Sequence, residues 1–284
     1  MSSELPNGKT VKDCLVLGVS DAGLPRLEVQ MLLAYVLGQS RVWLIAHDDH
    51  ELVQAEFERF QTICQRRLAG EPMAYLVGQR EFMGLTFEVN ASVLIPRPET
   101  ELLVETALAR VSGVAAPRVL DLGTGSGAIA LSMAHARPDA KVWATDISAQ
   151  ALELAQRNAV SQGAEVQFMQ GSWFDALHGV YLRFDLIVSN PPYIAAGDPH
   201  LSQGDLRFEP RGALTDESDG LMAYRMILSR ASEFLALGGS LCLEHGFDQG
   251  AAVADLLRQA GFLDVKTIED LAGHPRVTTG SYNR

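Results

Sequence analysis

The stretch VLDLGTGSGAIAL, residues 119–131, constrains the fold more than any other part of the chain. An apolar, strand-forming run leads into Gly123, Gly125 and Gly127, and an apolar helix start follows at once. A strand that passes through a tight glycine turn directly into a helix opens a β-α-β unit. The sequence after it repeats that alternation. Strands are expected at 118–122, 141–146, 165–170, 184–189 and 240–245. Helices are expected at 127–136, 148–162, 219–237 and 249–260, with Ser148 as an N-cap and Gly238-Gly239 as the stop of the third. The closing residues from 262 read as β. Such alternation predicts an α/β domain with a mainly parallel sheet covered by helices on both faces.

Residues 1–78 follow a different grammar. Leu27, Met31, Leu32, Tyr35 and Val36 recur at helical spacing before Gly38, and Val53, Phe57, Phe60, Cys64 and Leu68 do so before Gly70. Ser40 can cap a short helix over 42–45. A small helical bundle is expected. Residues 79–96 hold short β-like pieces around Gly84 and read as a hairpin linker. The division is therefore 1–78, 79–96 and 97–284, with a helix beginning near Leu102.

Composition narrows the function. Of 284 residues, 47% are apolar and 20% charged, and the net charge of −12 comes without any basic run. Binding to nucleic acid through phosphate neutralisation is not expected from such a chain. Cys14, Cys64 and Cys242 are far apart and odd in number, which implies a reducing compartment and a cytoplasmic protein. MSSELPNGKT lacks a leader pattern, and no apolar run is long enough to span a bilayer. His47-Asp48-Asp49-His50 are metal-ligand types. Contiguous side chains fan out, however, so a solvated turn is expected there and no metal site.

Gly123, Gly125 and Gly127, with Thr124 and Ser126 between them, let backbone N–H groups approach a ligand closely. Asp146 ends the next strand, where a carboxylate can accept hydrogen bonds from both hydroxyls of a ribose. The glycine spacing alone fits NAD as well as S-adenosylmethionine. The segment SNPPYI, 189–194, separates them. Asn190 falls at the same carboxyl edge, and Pro191 and Pro192 make the corner stiff. A planar –NH₂ group is a poor nucleophile because its lone pair is delocalised. The Asn190 side-chain oxygen and the Pro191 carbonyl can accept its two N–H bonds and favour positive charge on nitrogen, and Tyr193 can lie against its flat face. The corner reads as a clamp for methyl transfer to nitrogen.

The stretches IPRPETE (95–101), VLDLGTGSGAIAL, GSWF (171–174), VSNPPYI (188–194), GDLRFEPRGAL (204–214) and LEHGFDQG (243–250) together resemble the HemK/PrmC family of N5-glutamine methyltransferases. The resemblance implies a Rossmann-like class I S-adenosylmethionine-dependent methyltransferase domain with a mainly parallel seven-stranded sheet. It implies cofactor contacts at Gly123, Thr124, Gly125, Ser126, Gly127, Asp146, Trp173 and Asn190, and S-adenosylhomocysteine as product. Glutamine contacts are implied at Asn190, Pro191, Pro192 and Tyr193. The implied substrate is the Gly-Gly-Gln loop of class I peptide chain release factors, with no membrane partner. An aromatic at 173 can also pack on an adenine ring. NPPY by itself is shared with adenine and guanine N-methyltransferases, so a nucleic-acid substrate is the alternative. A third reading is a partner-binding protein that keeps a nucleoside pocket without turnover. Residues 1–78 hold no chemical motif and are expected to dock the protein substrate.

Overall fold

The computed structural model describes residues 9–20, 22–179 and 181–283. Most of the N-terminal stretch read for a leader lies outside them. The chain forms two compact units, Met1–Gly78 and Gln79–Arg284.

The first unit is built from α1 (Val11–Ser20), α2 (Arg26–Leu37), α3 (Arg41–Ala46), α4 (Gln54–Leu68) and α5 (Met73–Val77). Ser40 caps α3 by accepting the Trp43 N–H at 3.1 Å. Val11, Cys14, Val29, Leu32, Leu33, Leu44, Phe60 and Ile63 form its core. The α2 helix forms where the spacing predicts it and stops at Gly38. In α2 the buried face runs through Val29, Leu32, Leu33 and Val36, while Leu27, Met31 and Tyr35 are exposed. The helix is apolar around most of its circumference, so spacing identified the element without choosing its face. His47 and His50 both pack on Trp43, His47 stacked at 4.4 Å between ring centroids.

The second unit opens with a hairpin, β1 (Gln79–Phe82) and β2 (Leu85–Glu88), paired Phe82 to Leu85. Met83 and Gly84 both have positive φ, the requirement of a two-residue turn that follows strand twist. Asn158 ties this hairpin to the sheet domain: it accepts the Glu88 N–H at 2.7 Å and donates to the Glu88 and Ser126 carbonyls.

The remaining elements are α6 (Glu99–Arg110), β3 (Arg118–Leu122), α7 (Ala128–Ala136), β4 (Lys141–Asp146), α8 (Ala149–Gln162), β5 (Val166–Gln170), β6 (Phe184–Ser189), the short α9 (Arg211–Leu214), α10 (Met222–Phe234), β7 (Leu235–Glu244), α11 (Gly250–Gln259), β8 (Leu263–Glu269) and β9 (Pro275–Ser281). The strands form one seven-stranded sheet in the order β5-β4-β3-β6-β7-β9-β8. All pairs are parallel up to β7, and β9 is antiparallel to both neighbours. Leu120, Leu122 and Trp143 face Tyr224, Ile227 and Ala231 of α10 and Val253 and Leu257 of α11. Strand alternation turns Val119, Asp121, Val142 and Ala144 to the opposite face. Among the described residues no helix is long and apolar enough to cross a membrane.

Two boundaries differ from expectation. The helix before the fifth parallel strand ends at Phe234, and β7 runs on through Gly238-Gly239. The glycine pair marks an irregularity in the strand: register against β6 shifts between Phe184 and Leu186, and Gly238 and Gly239 exchange hydrogen bonds with Tyr282 at 2.8 Å. The α6 helix starts at Glu99, directly after Pro98 rather than near Leu102. This places Thr100 in its first, buried turn.

Candidate active site

The loop after β3 is shaped by its glycines. Gly123, Gly125 and Gly127 have φ of 75°, 56° and 85°, a region closed to most side chains. The Gly123 and Thr124 N–H groups donate to the Thr145 carbonyl at 2.9 Å. Thr124 Oγ1 donates to Asp121 Oδ2 at 2.6 Å, beneath the loop. Burial pushes the Asp121 carboxyl up to about 7, and its Oδ1 has no partner.

Asp146, at the end of β4, secures the loop from the neighbouring strand. Its Oδ2 accepts the Gly125 N–H and its Oδ1 the Ser148 N–H, both at 2.9 Å. Partial burial raises its pKa. An ionised carboxylate offers about four acceptor positions, so each oxygen keeps capacity for a hydroxyl.

Asn190 follows β6. Its Nδ2 donates to Thr100 Oγ1 at 3.2 Å, and the buried Glu244 carboxyl lies beside both side chains. The planar amide then turns Oδ1 away from that pair. Pro191 is buried. Tyr193 packs against the core, burial raises its pKa, and its carbonyl accepts Gln249 Nε2 at 2.9 Å.

A cavity of about 460 Å³ joins these parts. Gly123, Thr124, Gly125, Ser126 and Asp146 border one side of it. Trp173, Asn190 and Pro192 also line it. Gly127 heads α7, and neither it nor Pro191 nor Tyr193 reaches the cavity wall. Trp173, at the start of a short 3-10 helix, borders both cavity and core; its ring lies over Gly123. The rest of the lining is largely apolar, including Leu94, Ile147, Ala151 and Met226.

Pro210, Gly212, Ala213, Thr215, Asp216 and Glu217 also line the cavity, and Glu209 anchors the segment that carries them. The buried Glu209 carboxylate pairs with Arg97 and accepts the Ile95 N–H at 3.3 Å. Burial raises its pKa against the lowering effect of Arg97. Backbone bonds from Ile194 to Leu214 at 2.9 Å and from Ala196 to Ser218 at 3.0 Å join this segment to the NPPY corner. Thr100, Glu209 and Glu244 were not singled out from sequence. The clue available was that IPRPETE, FEPRGAL and LEHG each place an acid beside a motif.

A glycine loop closed by an acidic strand end suits a nucleoside, the apolar lining suits a flat ring, and the oriented amide sits opposite. With the mainly parallel sheet and its antiparallel β9, this defines a class I S-adenosylmethionine-dependent methyltransferase. The chain is 57% identical over 92% of its length to a "release factor glutamine methyltransferase" of Bordetella pertussis, covering 97% of that protein. It belongs to the release factor glutamine methyltransferase family. A Neisseria gonorrhoeae protein of the same name is 54% identical, with 94% of this chain and 96% of that protein covered. The methyltransferase small domain family matches residues 98–204, and the PrmC N-terminal domain family matches 17–78. Among solved structures, a Pyrococcus furiosus methyltransferase is similar in fold, with TM-score 0.54, 22% identity and coverage of 78% of this chain and 98% of that one. A Thermus thermophilus 16S rRNA methyltransferase in complex with AdoMet and guanosine has TM-score 0.53 and 21% identity, with 72% and 50% covered.

Proposed function

We propose that the protein transfers a methyl group from S-adenosylmethionine to the side-chain amide nitrogen, N5, of the glutamine in the Gly-Gly-Gln loop of class I peptide chain release factors. The observation that carries this reading is the Asn190 amide, held by Thr100 at the cavity wall and stiffened by Pro191-Pro192. S-adenosylmethionine, when bound, supplies an electrophilic methyl group and leaves as S-adenosylhomocysteine. The glycine-loop N–H groups and Asp146 would hold it, with Trp173 and Ile147 against its adenosine.

Asn190 Oδ1, at the cavity wall, accepts one N–H of the glutamine amide, and the Pro191 carbonyl, set behind that wall between Asn190 and Pro192, accepts the other once the side chain is seated past the wall. Both acceptors are fixed before the substrate arrives, so they stabilise positive charge that grows on nitrogen without reorganisation. After transfer that nitrogen loses its proton to solvent. Tyr193 and Pro192 set the corner's shape. The helices of residues 1–78 dock the release factor, because one glutamine side chain offers too little surface to select a protein.

A nucleic-acid base methyltransferase would use the same corner. The charge of −12 and the names of the relatives disfavour it. Incubation with labelled S-adenosylmethionine and either release factor or RNA, followed by peptide mapping, tests the assignment. Label on the Gly-Gly-Gln glutamine is expected, and Asn190→Ala should remove it with the fold intact. Label on RNA alone would overturn the reading.

A further inference from the structure

Glu244 ends β7 with its side chain buried at 2% exposure and its Oε2 unpaired. It does not border the cavity. A buried carboxyl with an unmet oxygen is costly and calls for an account. The nearest polar side chains are those of Thr100 and Asn190. Thr100 Oγ1 already accepts from Asn190, so its own proton is directed elsewhere, and the carboxyl is the acceptor at hand. Both the Thr100 hydroxyl and the Asn190 amide stand within hydrogen-bonding reach of the Glu244 carboxyl, so the three groups form one cluster that runs from the cavity wall into the core.

An asparagine amide has two orientations of nearly equal shape. Only one presents oxygen to a substrate –NH₂. A carboxylate accepts hydrogen bonds and donates none, so it repels the flipped amide. A protonated carboxyl can donate, and tolerates the flip.

We propose that Glu244 is a positioning residue for methyl transfer, whose ionised carboxylate locks the Asn190 amide, through Thr100, with its oxygen facing the substrate. This deepens the glutamine methyltransferase reading and rests on it. The backbone around the carboxyl is fixed independently: Tyr224 of α10 donates to the Glu244 carbonyl at 2.9 Å. The charged and titratable groups facing it are Arg276 of β9, Glu99 of α6, Tyr193 after β6 and Tyr224 of α10. Burial outweighs Arg276 and holds the group at about 7. The lock therefore engages as pH rises through neutrality.

The test measures kcat, KM and pH profiles on release factor for wild type, Glu244→Gln, Glu244→Leu and Thr100→Val. Expected are kcat losses of about tenfold for Gln and about a hundredfold for Leu, the scale of one misaligned polar contact in a transition state. The KM for S-adenosylmethionine should stay within twofold. The wild-type fall in kcat below neutral pH should vanish in Glu244→Gln. Thr100→Val is near-isosteric and should lose kcat in the same way, so it decides the matter if the leucine variant does not fold. A purely structural Glu244 would lower Tm while leaving kcat per folded molecule and the pH profile at wild-type values, and that result overturns the proposal. A second readout needs no turnover. The Asn190 side-chain NH₂ signals in nitrogen-15 NMR should titrate with pH in wild type and not in Glu244→Gln. If the wild type methylates no glutamine, the functional reading fails, and these signals alone judge the lock; signals insensitive to Glu244 refute it.

Discussion

Asp146→Ala isolates how much of ligand binding depends on one strand end. In the folded protein each carboxylate oxygen already accepts one backbone N–H, from Gly125 or Ser148. One further lone pair on each is free to meet a ribose hydroxyl. Two charge-assisted hydrogen bonds at about 1.5 kcal/mol each amount to about 3 kcal/mol. That is a loss of about 150-fold in affinity at 1.4 kcal/mol per decade. Loss of the Gly125 tether loosens the loop and adds to this, so the dissociation constant for S-adenosylmethionine should rise by about a hundred- to a thousandfold. Asp146→Asn keeps one acceptor oxygen and should lose about tenfold. The contact is the same in ground and transition states, so kcat at saturating cofactor should change only several-fold. Isothermal titration calorimetry gives the affinity, and initial rates with release factor give kcat. A dissociation constant within threefold of wild type for the alanine variant would refute the ribose assignment. So would a collapse in kcat with unchanged affinity.

Gly220→Ala should destabilise the protein by about 2 kcal/mol or more and depress kcat. A Cβ at this positive-φ site would stand 2.5 Å from the Tyr193 carbonyl oxygen, whereas one at Gly197 meets nothing within 4 Å. Equal urea midpoints for the two variants would contradict this. Glu244 sits at about 7 in the folded chain against about 4.3 unfolded. Between those values the unfolded chain has released a proton that the folded chain keeps, so stability falls as pH rises through the window. Glu244→Gln lacks this loss and should gain stability relative to wild type from pH 4.5 to 7.5, read by urea denaturation; a difference independent of pH refutes it. A chain starting at Gln79 should bind S-adenosylmethionine and methylate a short Gly-Gly-Gln peptide as well as the full chain does. On intact release factor its kcat/KM should fall at least tenfold, and equal losses on both substrates would end the docking role.

The parts legible from sequence are those whose logic is local. A strand, a glycine turn and a helix succeed one another along the chain, so the β-α-β order could be read directly. Asp146 and Asn190 stand at the ends of apolar runs, and parallel strands bring such ends to one edge. What escaped notice depends on distant partners. Thr100 looked like an ordinary residue before a helix, and it faces Asn190 only because α6 begins earlier than its apolar spacing implied. Glu209 fell between the strand expected at 184–189 and the helix expected at 219–237, and Glu244 inside the strand expected at 240–245; neither position disclosed that the carboxyl would be buried once the sheet closed. In α2 an apolar surface on nearly every side concealed which face the bundle would cover.

The joints of the cavity have a consequence for the nascent chain. Asn190 to Thr100 spans 90 residues, and Glu209 to Arg97 spans 112. Closing such long loops is entropically unfavourable until the sheet between them has formed. Glu244 lies in β7, and β7 pairs with β9 near the end of the chain. Completion of the clamp therefore waits on β6 and β7 joining the sheet, and late assembly is the expected order. A chain still emerging from the ribosome would carry the glycine loop and the NPPY sequence without a working amide between them, and partial unfolding of the C-terminal strands should silence the enzyme before it melts.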